Sequence, residues 1–330
     1  MDEALPPVST RLKLLRISRL FGNAPRIAWR IARNGMPSRS LLFGPLSIGD
    51  DLLCTTVLHE ARRREEPFAM FTARPELFTH NPDPLRLLPI DEYYIRTLQA
   101  AGRAVIKPYY VTADPKLPHR DVFPPRHILA EMCRVAGIRG HVTLRPYVYL
   151  TKAERERGHL APRTLVVQST AASAAIPFTT KEWGAAKFAA VLKALDGEFT
   201  TVQIGCVTDP VLPVAYDLRG RTTLRETAAV LANGTVFLGL EGFLVHLARA
   251  VDCVAVALLG GRVAPEYVGY SSNINFYSPI ECAPCGLRNQ CPHDLRCQES
   301  IPVADVVDAV RLLAERPRSP TLPADKAEVF

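Results

Sequence analysis

Short apolar runs alternate with stretches of helical period along most of the chain, and the alternation sharpens after residue 163. In the first half, Leu41 to Phe43 reads as a strand that meets a glycine-bearing loop, Gly44 to Gly49. A helical stretch then begins at Asp50 and runs to about Arg64. Further extended segments are expected at Phe68 to Phe71, Tyr93 to Ile95, Val105 to Val111 and Val142 to Leu150, with a helix near Pro125 to Ala136. Thr151 to Arg163 has the charged, proline-ended composition of a connector.

The second half predicts strands at Leu165 to Gln168, Thr200 to Ile204, Thr235 to Leu238 and Cys253 to Leu259. Helices are expected at Lys181 to Leu195, Leu224 to Ala232, Gly242 to Val251 and Val303 to Glu315. Strands and helices in strict alternation imply parallel, doubly wound sheets, whose ligands sit at the carboxyl ends of the strands. The segmentation that follows is a basic arm over 1–40, a first α/β domain over 41–155, a second over 156–315, and a proline-bearing tail over 316–330.

Length and composition fit this picture. With 330 residues, 48% of them hydrophobic, the chain can bury two cores without disulfides. No run of eighteen apolar residues and no secretory leader is visible, so a cytoplasmic protein is expected. The net charge of +7 is concentrated near the amino terminus, where Arg11, Lys13, Arg16, Arg19, Arg26, Arg30, Arg33 and Arg39 occur with no acidic residue among them. Arg26, Arg30 and Arg33 share one helical face while Ile27 and Ile31 lie on another, a pattern suited to an anionic membrane surface and also to a solvated leader. No aromatic-interleaved basic module follows, which argues against nucleic acid as a partner.

Four places carry chemistry. Asp50 and Asp51 stand at the handover from the first strand to its helix, where a carboxylate either caps the helix or faces a cleft as a proton acceptor. Ser169 and Thr170 end the strand Leu165 to Gln168, and the following loop leads to Thr179, Thr180 and Lys181. Thr179 and Glu182 have capping-box spacing, so a helix amino terminus and an ammonium would together favour a diphosphate. Glu241, Gly242 and His246 turn from strand to helix: the glycine admits a ligand close to the backbone, the carboxylate can accept from a sugar hydroxyl, and the histidine either donates or braces. Last, Cys282, Cys285, Cys291 and Cys297 fall within sixteen residues. That spacing can surround a tetrahedral zinc or iron as a structural staple, or leave reduced thiols or labile bridges. Cys54, Cys133, Cys206 and Cys253 lie in apolar segments as core thiols.

In order and separation these features resemble the family 9 glycosyltransferases, the bacterial ADP-heptose:lipopolysaccharide heptosyltransferases and their relatives. The pieces that carry the resemblance are Ser47 to Thr56, Lys181-Glu182-Trp183, Leu218 to Glu226, and Glu241 to Ala248. The resemblance implies a GT-B fold, two Rossmann-like domains facing across a cleft, and inverting transfer from a nucleotide-diphosphate sugar, typically ADP-heptose, with no catalytic cofactor. It makes Asp50 the general base and Lys181 a phosphate ligand, with Ser169, Thr170 and Thr180 beside the donor phosphates and Glu241, Gly242 and His246 lining the donor pocket. The acceptor would be a glycan, lipopolysaccharide-like or protein hydroxyl. The chain departs from the family pattern at Glu241, where aspartate is usual, and at Phe243, where a small residue is common. A non-catalytic scaffold of the same fold, and a nucleotide-sugar epimerase, are the competing readings.

Overall fold

The computed structural model describes residues 22–44, 48–317, 319 and 321–330. Arg11, Lys13, Arg16, Arg19 and Ser47, which entered the expectations above, lie outside the described residues. A first helix, α1 (Ala24–Asn34), leads into a four-stranded parallel sheet of order β3-β2-β1-β4, made of β1 (Arg39–Leu42), β2 (Ala69–Thr72), β3 (Arg86–Pro89) and β4 (Ala104–Ile106). Between these strands run α2 (Ile48–Arg62) and α3 (Glu92–Ala100). A small antiparallel hairpin, β5 (Thr112–Ala113) and β6 (Asp121–Val122), projects from this lobe, followed by α4 (Ile128–Val135) and β7 (Gly140–Leu144).

The linker carries α5 (Lys152–Arg157), begun by a capping box in which Thr151 and Glu154 each satisfy the other's backbone N–H. The second lobe is a six-stranded parallel sheet of order β10-β9-β8-β11-β12-β13. It comprises β8 (Thr164–Gln168), α6 (Ala185–Ala194), β9 (Thr200–Gln203), β10 (Tyr216–Asp217), α7 (Leu224–Asn233), β11 (Val236–Leu240), α8 (Phe243–Ala250), β12 (Ala255–Gly260), α9 (Pro265–Val268) and β13 (Ile274–Tyr277). The chain ends with α10 (Arg296–Glu299), α11 (Val303–Ala314) and β14 (Asp325–Val329). Strands β11 and β12 are buried at every position, as parallel strands covered on both faces require.

Several expectations are corrected. Tyr93 to Ile95 is helical within α3, because the Asp91 carboxylate accepts from the Tyr93 and Tyr94 amides and starts a helix there. The segment from Thr179 is a single 3-10 turn (Thr179–Lys181) without a side-chain cap, and the helix proper starts after Gly184, whose φ of 98° interrupts the chain direction. The tail folds back: β14 pairs antiparallel with β7, so the last residues belong to the first lobe. The described part of the basic arm is docked too, since Arg26 and Arg30 both bond Asp91, at 2.8 and 3.2 Å, leaving Trp29 half exposed with Arg30 and Arg33 over its ring. No helix among the described residues is long and apolar enough to cross a membrane.

One apolar core runs through both lobes, from Leu41, Leu53 and Val57 to Val245, Leu247 and Ala257. Its seam is the packing of α2 on α8, where Gly49 lies against Phe243. Two helix amino termini that each follow a parallel strand are thereby brought face to face.

Candidate active site

The α2 terminus carries two carboxylates with different surroundings. Asp51 is fully buried and accepts a 2.7 Å hydrogen bond from the Thr72 hydroxyl, with Arg74 3.8 Å away. Burial pushes its carboxyl up to about 6 against the lowering influence of Thr72 and Arg74. Asp50 is 8% exposed and accepts a 2.7 Å hydrogen bond from the Tyr110 hydroxyl. Burial, then the Asp50 charge and that hydrogen bond, raise the Tyr110 phenol well above its ordinary range, so it stays protonated and donates. Tyr110 also feels Glu241 and Arg262 of the second lobe, which places Asp50 and its phenol opposite that lobe's charged cluster.

That cluster sits at the carboxyl ends of three neighbouring strands, β8, β11 and β12. Beyond β8, the Ser169 hydroxyl is buried without a hydrogen-bond partner, while the Thr170 hydroxyl donates to Glu182 at 3.1 Å. Beyond β11, Glu241 meets Lys181 with Nζ 2.7 Å from Oε2, both side chains 11% exposed. At 2.7 Å the ammonium occupies one acceptor site of Oε2, and a carboxylate oxygen has a second lone pair for another donor. Burial alone would raise Glu241; the Lys181 and Arg262 charges outweigh it and hold the carboxylate at about 2. Gly242, at φ 148°, occupies a backbone region that side chains rarely adopt and leaves Lys181 Nζ unobstructed.

Two of the expected residues are buried and committed to partners outside the Lys181–Glu241 pair. Thr180 is 3% exposed and its hydroxyl donates to the Leu287 carbonyl at 2.6 Å, so it braces the cysteine-bearing loop. His246 is 4% exposed with Nδ1 2.7 Å from the Tyr270 hydroxyl. Burial pulls the imidazole down to about 4, so it is neutral near pH 7 and supports the Glu241 turn from behind.

Beyond β12 stands Arg262, unflagged by the sequence patterns although a basic residue after the Gly260-Gly261 pair at a strand end was a readable signal. It is 4% exposed, 3.8 Å from Glu241, and ion-paired with Asp121 of the β5–β6 hairpin. Asp121 also takes Nη2 of Arg288 at 2.6 Å, and the Asp121 amide donates to the Gly286 carbonyl at 2.8 Å. A Cβ on Gly286 would lie 2.1 Å from the Asp121 carbonyl oxygen, so only glycine allows this approach. The loop containing the cysteines thus clasps the first lobe's hairpin across the cleft. Nothing local marks Tyr110 or Asp121 in the sequence, because their partners are far along the chain.

The four cysteines of the loop are thiols, with Cys297 buried and Cys282, Cys285 and Cys291 partly so. Burial, then the charges of the neighbouring thiols, raises Cys285 and Cys297, which shows that the four share one neighbourhood. The donor set suits a soft tetrahedral ion. Among the described residues no three His, Cys, Asp or Glu side chains are placed closely enough to form a coordination sphere.

No family profile matches the chain. It is 25% identical over 176 residues to lipopolysaccharide heptosyltransferase 3 of Escherichia coli, a stretch that spans 48% of this chain and 49% of that protein, about half the length of each. The fold is similar to that of a family 9 glycosyltransferase from Veillonella parvula, with TM-score 0.60 and 15% identity over 84% of this chain and 97% of that one. It is also similar to the dodecameric iron-containing heptosyltransferase TibC in complex with ADP-D-β-D-heptose, with TM-score 0.61 and 15% identity over 84% of this chain and 76% of that one. The architecture is that of GT-B proteins, and about half of the chain is similar in sequence to a heptosyltransferase.

Proposed function

We propose that the chain is an inverting glycosyltransferase that takes a sugar of the heptose class from an ADP-linked donor and passes it to a glycan, lipid-linked or protein hydroxyl. The observation that carries this reading is the confrontation of Asp50, held by Tyr110, with the cationic strand ends of the opposite lobe. Similarity to a heptosyltransferase over about half the chain supports the sugar class.

Asp50 accepts the acceptor hydroxyl's proton as that oxygen attacks the anomeric carbon from the face opposite the leaving group. The bond between the anomeric carbon and the phosphate oxygen breaks, and its electron pair leaves on the diphosphate. Lys181 neutralises that leaving group. The buried, unpartnered Ser169 hydroxyl supplies a donor to it, and Glu241 accepts from a donor hydroxyl. Positioning comes from the α2–α8 seam, which fixes the two strand ends relative to each other. A zinc or iron ion held by Cys282, Cys285, Cys291 and Cys297 completes the proposal as a staple with no part in the chemistry. Contact with an anionic membrane is assigned to the face of α1 that carries Trp29 and Arg33.

Calorimetric titration with ADP and ADP-heptose tests the donor assignment. Saturable binding of both is expected. A scaffold without a donor site would give no saturable heat, and that result would remove the enzymatic reading.

A further inference from the structure

We infer that Arg262 is a second cationic ligand for the donor's diphosphate, presented to it by Asp121 from the opposite lobe. The inference rests on the donor reading above and adds a residue that no part of the resemblance supplies.

Three observations converge on Arg262. First, its guanidinium and the Lys181 ammonium approach the same atom, Glu241 Oε2, at 3.8 and 2.7 Å. Lys181, Arg262 and Arg288 bring three cations against two carboxylates, Glu241 and Asp121, so this corner of the cleft keeps a net positive charge that a further anion would satisfy. Second, the Arg262 Nε is buried without a hydrogen-bond partner, which leaves unspent donor capacity in a side chain only 4% exposed. Third, the guanidinium is held in place: Phe178 and Phe123 lie 4.7 and 5.4 Å from it, and Asp121 engages Nη2. A fixed planar fork with free donors is the form in which arginine reads a phosphate.

Asp121 is a positioning residue in this arrangement. Its second oxygen is taken by Nε and Nη2 of Arg288, at 3.0 and 2.6 Å, so its orientation is set from the cysteine-bearing loop. The Arg120 guanidinium donates to the Cys285 carbonyl at 2.9 Å, and the Arg288 amide donates to the His119 carbonyl at 3.1 Å, which tie the hairpin to the same loop. A diphosphate seated between Ser169 and Lys181 would find Arg262 already aimed, and its grip would depend on the hairpin staying docked.

Titration of ADP, AMP and adenosine into wild type, Arg262→Gln, Arg262→Lys and Asp121→Asn tests this. Loss of one charge-assisted contact is worth about 10- to 100-fold in affinity. Arg262→Gln is expected to lose about that much affinity for ADP while its affinity for adenosine stays as in wild type. Arg262→Lys, which keeps the charge without the fork, and Asp121→Asn, which keeps the fork without its clamp, are each expected to lose several-fold for ADP alone. Because Arg288 still neutralises Asp121, Arg262→Gln leaves no orphaned buried charge; should it nevertheless fail to fold, the other two variants decide. ADP affinity equal to wild type in folded variants overturns the inference and leaves the donor reading standing. Failure of wild type to bind ADP overturns both.

Discussion

Replacing Arg225 by methionine should loosen the junction between linker and lobes by an amount that depends on pH. Arg225 follows the first residue of α7, and its five N–H donors are all engaged. Nε and Nη2 reach the two Glu154 oxygens at 2.6 and 2.8 Å, Nη2 also reaches the Tyr149 carbonyl at 2.8 Å, and Nη1 reaches the Glu76 and Thr79 carbonyls at 3.2 and 3.3 Å. One side chain therefore joins the second lobe, the linker helix α5 and the first lobe's turn after β2. The Glu76 and Thr79 contacts are exposed and water can replace them. The bidentate pair is partly buried, with side-chain exposures of 12% and 16%, so its loss lies between that of a surface pair and a buried one, about 2 kcal/mol. For lobes of this size that lowers the melting temperature by roughly 4 to 8 °C.

The acid dependence gives the sharper check. The Arg225 hydrogen bond holds the Glu154 carboxyl at about 2, below its ordinary 4.5. A carboxylate whose folded value is depressed stabilises above its unfolded value and loses that contribution as pH falls through the folded one. The melting difference between wild type and Arg225→Met should thus be full at pH 7 and shrink from about pH 4.5 downward. Differential scanning fluorimetry from pH 7 to pH 3 measures it. A difference below about 1 °C at pH 7, or one that does not narrow in acid, refutes the reasoning.

Three further outcomes are expected. Tyr110→Phe should lower kcat roughly tenfold or more, because Asp50 loses the phenol that orients it, while the dissociation constant for ADP is unchanged; isothermal titration beside steady-state kinetics separates the two. Elemental analysis of protein purified without added metal should find about one equivalent of zinc or iron per chain, and substoichiometric metal with four freely reacting thiols would remove the staple. Combining Trp29→Ser with Arg33→Gln should weaken salt-sensitive co-sedimentation with anionic vesicles several-fold, and unchanged sedimentation would end the membrane assignment.

Much of the second lobe was legible because its strands are continuous apolar runs bounded by turn residues. β11, β12 and α7 could be read directly from their apolar runs, and the structure starts α7 with a capping box of Thr223 and Glu226. The first lobe was harder, since Tyr93 to Ile95 is as apolar as a strand and only the Asp91 cap tips it into α3. The same kind of signal misled at Thr179 and Glu182, where the spacing of a capping box occurs but Glu182 turns to the Ala171 amide at 2.7 Å. Local pattern located Asp50, Lys181 and Glu241 at their strand ends. It was silent on Tyr110 and Asp121, whose meaning comes from partners 60 and 141 positions away along the chain.

Asp50 is the carboxylate that faces the cationic strand ends, and its replacement is the most direct measurement. Asp50→Asn keeps the shape and the capacity to accept from Tyr110 but cannot take up a proton at neutral pH. Transfer of labelled sugar from ADP-heptose into an acceptor-bearing extract should fall by on the order of a hundred- to ten-thousandfold, with the variant's affinity for the donor within about twofold of wild type. Transfer within about threefold of wild type by that variant would contradict the assignment of Asp50 as the base.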